Sequence, residues 1–284
     1  MNKKDIIKDI KIDIERAFYH SLDTSFYDIT IDGAMDGESA FKECQNIDIY
    51  KSTFNLRYPC WHDNDLRIED CNFSINCRAP FWYDKNISFY NVNCQGIKAI
   101  RECQNVTILN SSFSSDEICW RSRDIKIKDS KIQSVYAFLM CQNVELENVN
   151  FVGKYSFQYV DNLKIINSNL DTKDAFWHAN NVVVENCVVK GEYLAWYSNN
   201  ITFIKCLIIG TQPICYAKNI MFIDCKFEQC DLAFEYSDVN GNIIGNIESI
   251  KNPLSGHLIM DNKPNLIFDE NDKSEGKFVL EIKK

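Results

Sequence analysis

Apolar and polar positions along this chain recur in short bursts separated by a fixed interval. Each burst is an Asn or Asp followed by an apolar–any–apolar trio, as in Asn46-Ile47-Asp48-Ile49, Asn105-Val106-Thr107-Ile108 and Asn143-Val144-Glu145-Leu146. Ten bursts start at Asn46, Asp65, Asn86, Asn105, Asp124, Asn143, Asn162, Asn181, Asn200 and Asn219; eight of the nine intervals are 19 residues and one is 21. Five residues into most repeats a second Asn or Asp appears (Asp70, Asn91, Asn110, Asn167), with Lys51 and Lys205 as substitutes. Eight residues in stands a large apolar group such as Phe54, Phe73, Phe113, Phe151, Leu170 or Phe227. All five tryptophans, Trp61, Trp82, Trp120, Trp177 and Trp196, fall four residues before a repeat start.

Period-two alternation over a few residues makes a half-buried strand, with Ile47 and Ile49 inward and Asp48 and Tyr50 outward. Asn and Asp tolerate left-handed backbone and bond their own chain, so they mark corners. A 19-residue unit of this kind cannot bury a face alone, but stacked units pair at about 4.8 Å, and ten of them would make a rod of roughly 50 Å. The expected fold is all-β: a single-stranded right-handed parallel β-helix, with the hand taken from the crossover preference of parallel strands. The left-handed hexapeptide helix lacks its six-residue period here. The pentapeptide-repeat helix ranks second, because only one such unit (Asp70-Cys71-Asn72-Phe73, for example) occurs per coil. Open solenoid ends need covering. Ile7, Ile10, Ile14, Ala17 and Phe18 lie at helical spacing and predict an N-terminal capping helix over residues 1–22. Coils are expected over 23–237, with a first strand near Tyr27 to Gly33. An irregular C-terminal cap over 238–284, split by Pro253 and Pro264, would complete the same domain.

Composition narrows the functional classes. The net charge of −9 disfavours nucleic acid or an anionic membrane as partner. No run of apolar residues is long enough for a spanning helix, and the N-terminus lacks the apolar core and cleavage site of a secretion signal. Thirteen cysteines are present without CxxC pairs. They sit at repeat positions (Cys71, Cys187, Cys206 and Cys225 in one column) where Ser52, Ser111, Ser130, Ser168 and Val149 also stand, the exchange pattern of a small buried filler. Reduced core thiols imply the cytoplasm. No metal or cofactor motif is present, so none is expected.

The segments joining the strands carry a resemblance. Asp36-Gly37-Glu38-Ser39-Ala40, Arg57-Tyr58-Pro59 with Trp61-His62, Arg78-Ala79 with Trp82-Tyr83, Gly153-Lys154-Tyr155-Ser156-Phe157, Asp174-Ala175-Phe176-Trp177-His178, Gly191-Glu192-Tyr193-Leu194-Ala195-Trp196 and Gly210-Thr211-Gln212-Pro213 resemble the bacterial β-helix family called domain of unknown function 3737. The likeness covers about residues 15 to 260. It implies a parallel β-helix and supplies no catalytic residues, since the family has no assigned reaction.

Counted back from each repeat start, the fifth residue is a core filler (Phe41, Phe81, Ile100, Phe138, Phe157, Phe176, Ile214). The fourth mixes Trp with Lys42, Arg101 and Gln158, and the third includes Glu43, His62, Tyr83, Glu102, Arg121, Met140, Tyr159, His178, Tyr197 and Tyr216. Charges sharing a column with Trp argue that it faces water, because burying them unpaired is costly. Strict alternation would put the third and fourth residues on opposite sides, so both face outward only if a corner or bulge intervenes. Such a face suits a carbohydrate-like or other polar ligand. Trp61, Trp82, Trp120, Trp177, Trp196, His62, Tyr159 and Tyr197 would offer ring faces, while Arg57, Arg78, Lys154, Lys173 and Glu192 meet hydroxyl or acidic groups. The competing readings are stacked ladders that only stabilise, a protein-interaction scaffold, and a sugar-modifying enzyme. For catalysis, Asp63 and Asp84 are equivalent on neighbouring coils, about 5 Å apart, near a retaining-glycosidase spacing. His178, with Asp174 on its own coil and Glu192 on the next, could do acid–base work. His62 and His178 are six coils apart and cannot share a metal site. Glu102, Asp116, Arg101 and Arg121 allow calcium-assisted lyase chemistry without indicating it.

Overall fold

A computed structural model describes residues 4–33, 38–270, 273–274 and 276–283. The chain divides into two compact units, Met1–Val144 and Glu145–Lys284. Both are parallel β-solenoids with coils of about 19 residues, as the spacing predicts.

In unit 1 the first side of the coil is a parallel sheet of Asp5–Lys8, Leu22–Tyr27, Gln45–Tyr50, Asn64–Glu69, Lys85–Tyr90, Gln104–Leu109 and the start of Arg123–Ser134. Lys11–Ile12, Thr30–Asp32, Thr53–Asn55, Asn72–Phe73, Asn93–Cys94 and Ser112–Ser114 make the second side. Phe41–Lys42, Cys60–Trp61 and Phe81–Trp82 make the third. Unit 2 repeats the plan. Its first side runs through Asp161–Ile166, Asn180–Glu185, Asn199–Ile204 and Lys218–Glu228, its second through residues 150–154, Asn169–Lys173, Val188–Lys190 and Leu207–Ile209.

Every repeat start has left-handed backbone, from Asn46 (φ 55°) to Asn219 (φ 53°), and so does the second corner, including Lys51 (φ 50°) and Lys205 (φ 50°). Left-handed backbone is uphill for residues with a side chain, and a short polar side chain offsets this by bonding locally. Here the bonding runs between coils: Asn105 donates its amide to Asn86 (2.8 Å) and Asn143 to Asp124 (2.8 Å), while in unit 2 Asn219 donates to Asn200 (3.0 Å). Inside, equivalent side chains stack; Phe54 and Phe73 lie 4.4 Å apart and nearly parallel, and all thirteen cysteines are buried free thiols.

One expectation about the ends is corrected. No helix caps the N-terminus among the described residues; Asp5–Lys8 is a strand paired with Thr24–Tyr27, and the segment is one more coil. The apolar spacing misleads because Asp9 is a left-handed corner (φ 56°). Period-two runs on either side of such a corner leave Ile7 and Ile10 three apart, which mimics a helix. The C-terminal stretch also keeps parallel pairing, through Val239–Gly245, Gly256–Met260 and Phe278–Ile282, after a register shift between Phe222 and Cys225. Pro253 and Pro264 fall between its strands.

Candidate functional site

The corner required to turn both outer columns outward exists in every coil. The residue third before each repeat start is left-handed, from Glu43 (φ 55°), His62 (59°) and Tyr83 (61°) through Glu102 (54°), Arg121 (53°) and Met140 (56°) to Tyr159, His178, Tyr197 and Tyr216. The fourth and third residues therefore both point away from the core. The next residue turns inward, and the one after it outward again.

Outward does not mean available. In unit 1 the fourth-residue column is one continuous stack: Lys42 lies over Trp61 (4.7 Å), Trp61 against Trp82 (5.8 Å), and Arg101 between Trp82 (5.7 Å) and Trp120 (5.1 Å). In unit 2 Trp177 and Trp196 are stacked at 5.6 Å and 5°. Cation–π and ring pairing thus explain why Lys and Arg share a column with Trp. The indole N–H groups of Trp120, Trp177 and Trp196 donate to the carbonyls of Tyr136, Tyr193 and Gln212, whereas those of Trp61 and Trp82 are buried without a partner. All five rings are half-buried.

The third-residue column differs between the units. In unit 2, Tyr159, His178, Tyr197 and Tyr216 stack without a gap at 4.7, 5.2 and 4.9 Å. In unit 1, His62 stacks on Tyr83 at 4.8 Å and the rings then stop, the next positions being Glu102, Arg121 and Met140. At this break the surface forms a trough of about 410 Å³. One wall is Tyr83, Glu102, Arg121 and Met140; the other is Lys85, Gln104, Arg123 and Gln142; Cys103 and Ser122 lie between them. Strand register sets the second wall, since Lys85 pairs with Gln104 and Gln104 with Arg123. Arg123 donates to the Gln104 amide oxygen at 2.6 Å. Among the described residues neither Lys85 nor Arg121 has an ion-pair or hydrogen-bond partner for its charged group. Three cations face one carboxylate here, on a chain whose net charge is −9.

The family profile described as "Protein of unknown function (DUF3737)" matches residues 5–281. The chain belongs to this family. No curated protein matches the DUF3737 chain. Solved structures that it resembles include the Streptococcus pneumoniae surface protein and adhesin PfbA, at 11% identity and TM-score 0.44, covering 98% of this chain and 89% of that one. A tailspike protein mutant of Escherichia coli bacteriophage HK620, in complex with hexasaccharide, shows 10% identity and TM-score 0.44 over 89% of this chain and 60% of its own. The A-module of an Azotobacter vinelandii mannuronan C-5 epimerase shows 10% identity and TM-score 0.32, over 99% and 80%.

The remaining candidates in the DUF3737 chain scatter. Asp63 and Asp84 occupy the inward position after the corner and are 1% and 0% exposed, out of reach of any surface ligand. Each instead caps the coil before it, Asp63 accepting the Cys44 N–H and Asp84 the Asp63 N–H, both at 2.7 Å. Their second oxygens have no partner. Burial pushes the Asp63 carboxyl up to about 7; burial and the neighbouring Asp63 charge push Asp84 well above the carboxylate range. Arg57 pairs with Glu38, and Arg78 is exposed. In unit 2, Lys154 lies over Tyr155 (4.3 Å), while Lys173 lies over Tyr193 (5.0 Å) and bridges to Glu192 (2.6 Å). Asp174 is 5% exposed and its carboxyl is raised by burial, against the pull of Lys173 and Lys154. His178 makes no hydrogen bond to Asp174 or Glu192, because its ring is held flat between Tyr159 and Tyr197. Among the described residues no cluster of His, Cys, Asp and Glu could hold a metal ion.

Tyr83, Glu102, Arg121 and Met140 are legible in the sequence as one column; their opposite wall is not. Lys85, Gln104, Arg123 and Gln142 each sit just before a repeat start. The available signal is the loss of rings from the third-residue column at Glu102, Arg121 and Met140.

Proposed function

We propose that this protein binds a carbohydrate-like polar ligand in the unit 1 trough. The observation that carries the reading is the break in the ring column at Tyr83, beside a concave surface lined by amide, carboxylate and guanidinium groups. A pyranose has an apolar C–H face and a rim of hydroxyls. Tyr83 offers a ring for the former, while Glu102, Gln104, Gln142 and Arg121 offer acceptors and donors for the latter. Concavity supplies the desolvation that a flat aromatic ladder lacks. The indole columns beside it serve as scaffold, holding the third-residue corner in place. Thirteen free thiols support a reducing compartment for the protein.

The test is calorimetric titration with a panel of neutral and acidic oligosaccharides. At least one should bind, and Tyr83→Ala should weaken it roughly three- to ten-fold while leaving the melting temperature nearly unchanged. If Trp177→Ala or Tyr197→Ala abolishes binding and Tyr83→Ala does not, the site lies in unit 2 and this reading is wrong.

A second reading, a sugar-modifying enzyme, draws on Asp174. Its carboxyl, raised by burial against the pull of two lysines, is a candidate for proton transfer. Product release that disappears in Asp174→Asn would support it; unchanged turnover in that variant would remove Asp174.

A further inference from the structure

We infer that the ligand of the trough is an anionic sugar, whose acidic group is held by Arg121 and Arg123 while Lys85 adds positive charge two coils away. The inference rests on the carbohydrate reading and adds the charge of the ligand to it. Arg121 and Lys85 bring cations to opposite walls of one concave site and neither is neutralised by a neighbour. Several other outward cations are matched by a carboxylate. Arg57 meets Glu38, Arg67 meets Glu69, Lys173 meets Glu192 and Lys190 meets Asp171. Unmatched cations on both walls of one trough, two coils apart, raise the local potential on an otherwise acidic molecule, which attracts an anion.

Position matters as well as charge. Tyr83 and Arg121 occupy the same column two coils apart, so roughly 10 Å separates ring from guanidinium. Arg123 lies one coil beyond Gln104 on the facing wall and is steadied by it at 2.6 Å. A guanidinium offers two parallel N–H groups to a carboxylate or sulfate. Glu102, between Tyr83 and Arg121, is then left to accept from a hydroxyl. Its placement disfavours an anion directly above the ring and assigns the acidic group to the Arg121–Arg123 end. A carboxylate and a sulfate ester share this chemistry, and the probes below separate them.

The experiment uses the full chain and isothermal titration of four probes at low and at physiological salt: an oligouronate, its carboxyl-reduced neutral counterpart, a sulfated oligosaccharide of equal length, and inorganic sulfate. One acidic saccharide should bind roughly ten- to a hundred-fold tighter than the neutral one, and the gap should narrow as salt is added. Arg121→Gln should remove most of that gap while weak binding of the neutral sugar persists; Arg121→Lys should restore part of it. Melting curves of both variants check that they fold. Neutral and acidic sugars binding equally, with no effect of Arg121→Gln, would overturn this inference and leave the carbohydrate reading standing. No saccharide binding at all, with or without a response to inorganic sulfate, would overturn both.

Discussion

The column three residues before each repeat start has the same backbone in both units and two different fates. In unit 2 it carries Tyr159, His178, Tyr197 and Tyr216, which close face to face. In unit 1 it carries His62 and Tyr83, then Glu102, Arg121 and Met140, and a trough opens where the rings end. A solenoid turns equivalent positions into vertical neighbours, so filling each with a ring makes a self-satisfied ladder. The unit 2 ladder is exposed, Tyr159 at 49% and Tyr197 at 47%, yet His178 and Tyr197 have a ring against each face. On the proposed reading, recognition uses the place where the ladder is interrupted. Aromatic content alone therefore locates the face but not the site.

Completing the ladder in unit 1 should have the largest effect. Glu102→Tyr adds a ring above Tyr83 at a corner already left-handed, and should abolish trough binding, with a loss of about a hundred-fold or more. The same change should raise the melting temperature by a few degrees through new stacking. Retained affinity in this variant would show that the ligand does not use the break.

The inward column sharpens the contrast next. Unit 1 buries Asp63 and Asp84 where unit 2 has Ala179, Ser198 and Ala217. The Asp63 carboxyl titrates near 7 when folded against about 3.8 when unfolded, so between those values the folded chain holds a proton that the unfolded chain has released. Its contribution to stability is full below pH 4 and is lost as pH rises through 7. Urea unfolding should show stability falling by the order of a few kcal/mol between pH 4 and pH 8. Asp84→Asn, which keeps an oxygen for the Asp63 N–H, should flatten this dependence. A profile that rises over the same window would contradict the neutral buried pair.

Breaking the unit 2 ladder should have a smaller effect. His178→Ala removes two stacked contacts and should cost about 1–3 kcal/mol in urea unfolding, without changing saccharide affinity in the trough. Least of all is expected from Glu192→Gln. It cuts the exposed Lys173–Glu192 bridge and should leave the unfolding midpoint within error. A measurable shift would mean that the ion pair holds Tyr193 and the neighbouring coil in place.

Period, corners and core were legible in the sequence because each is a local rule repeated many times. Asn86 and Asn105 look alike since the same left-handed turn recurs. The N-terminal coil was misread as a helix where a corner at Asp9 spaced Ile7 and Ile10 by three. Asp63 and Asp84 read as surface groups in the sequence, although the corner at His62 and Tyr83 sends the following side chain inward. The trough was missed for a related reason: its two walls flank an inward column, so Arg121 and Arg123 become neighbours across a gap rather than along the chain. The break in the ring column could be read from residues; the concavity it creates could not.

The most direct test is a crystal structure of the protein soaked with the tightest-binding saccharide of the panel. A sugar ring should lie against Tyr83, with its acidic group between Arg121 and Arg123. A saccharide seated on the Tyr159–Tyr216 ladder, or an empty trough at saturating ligand, would contradict the account.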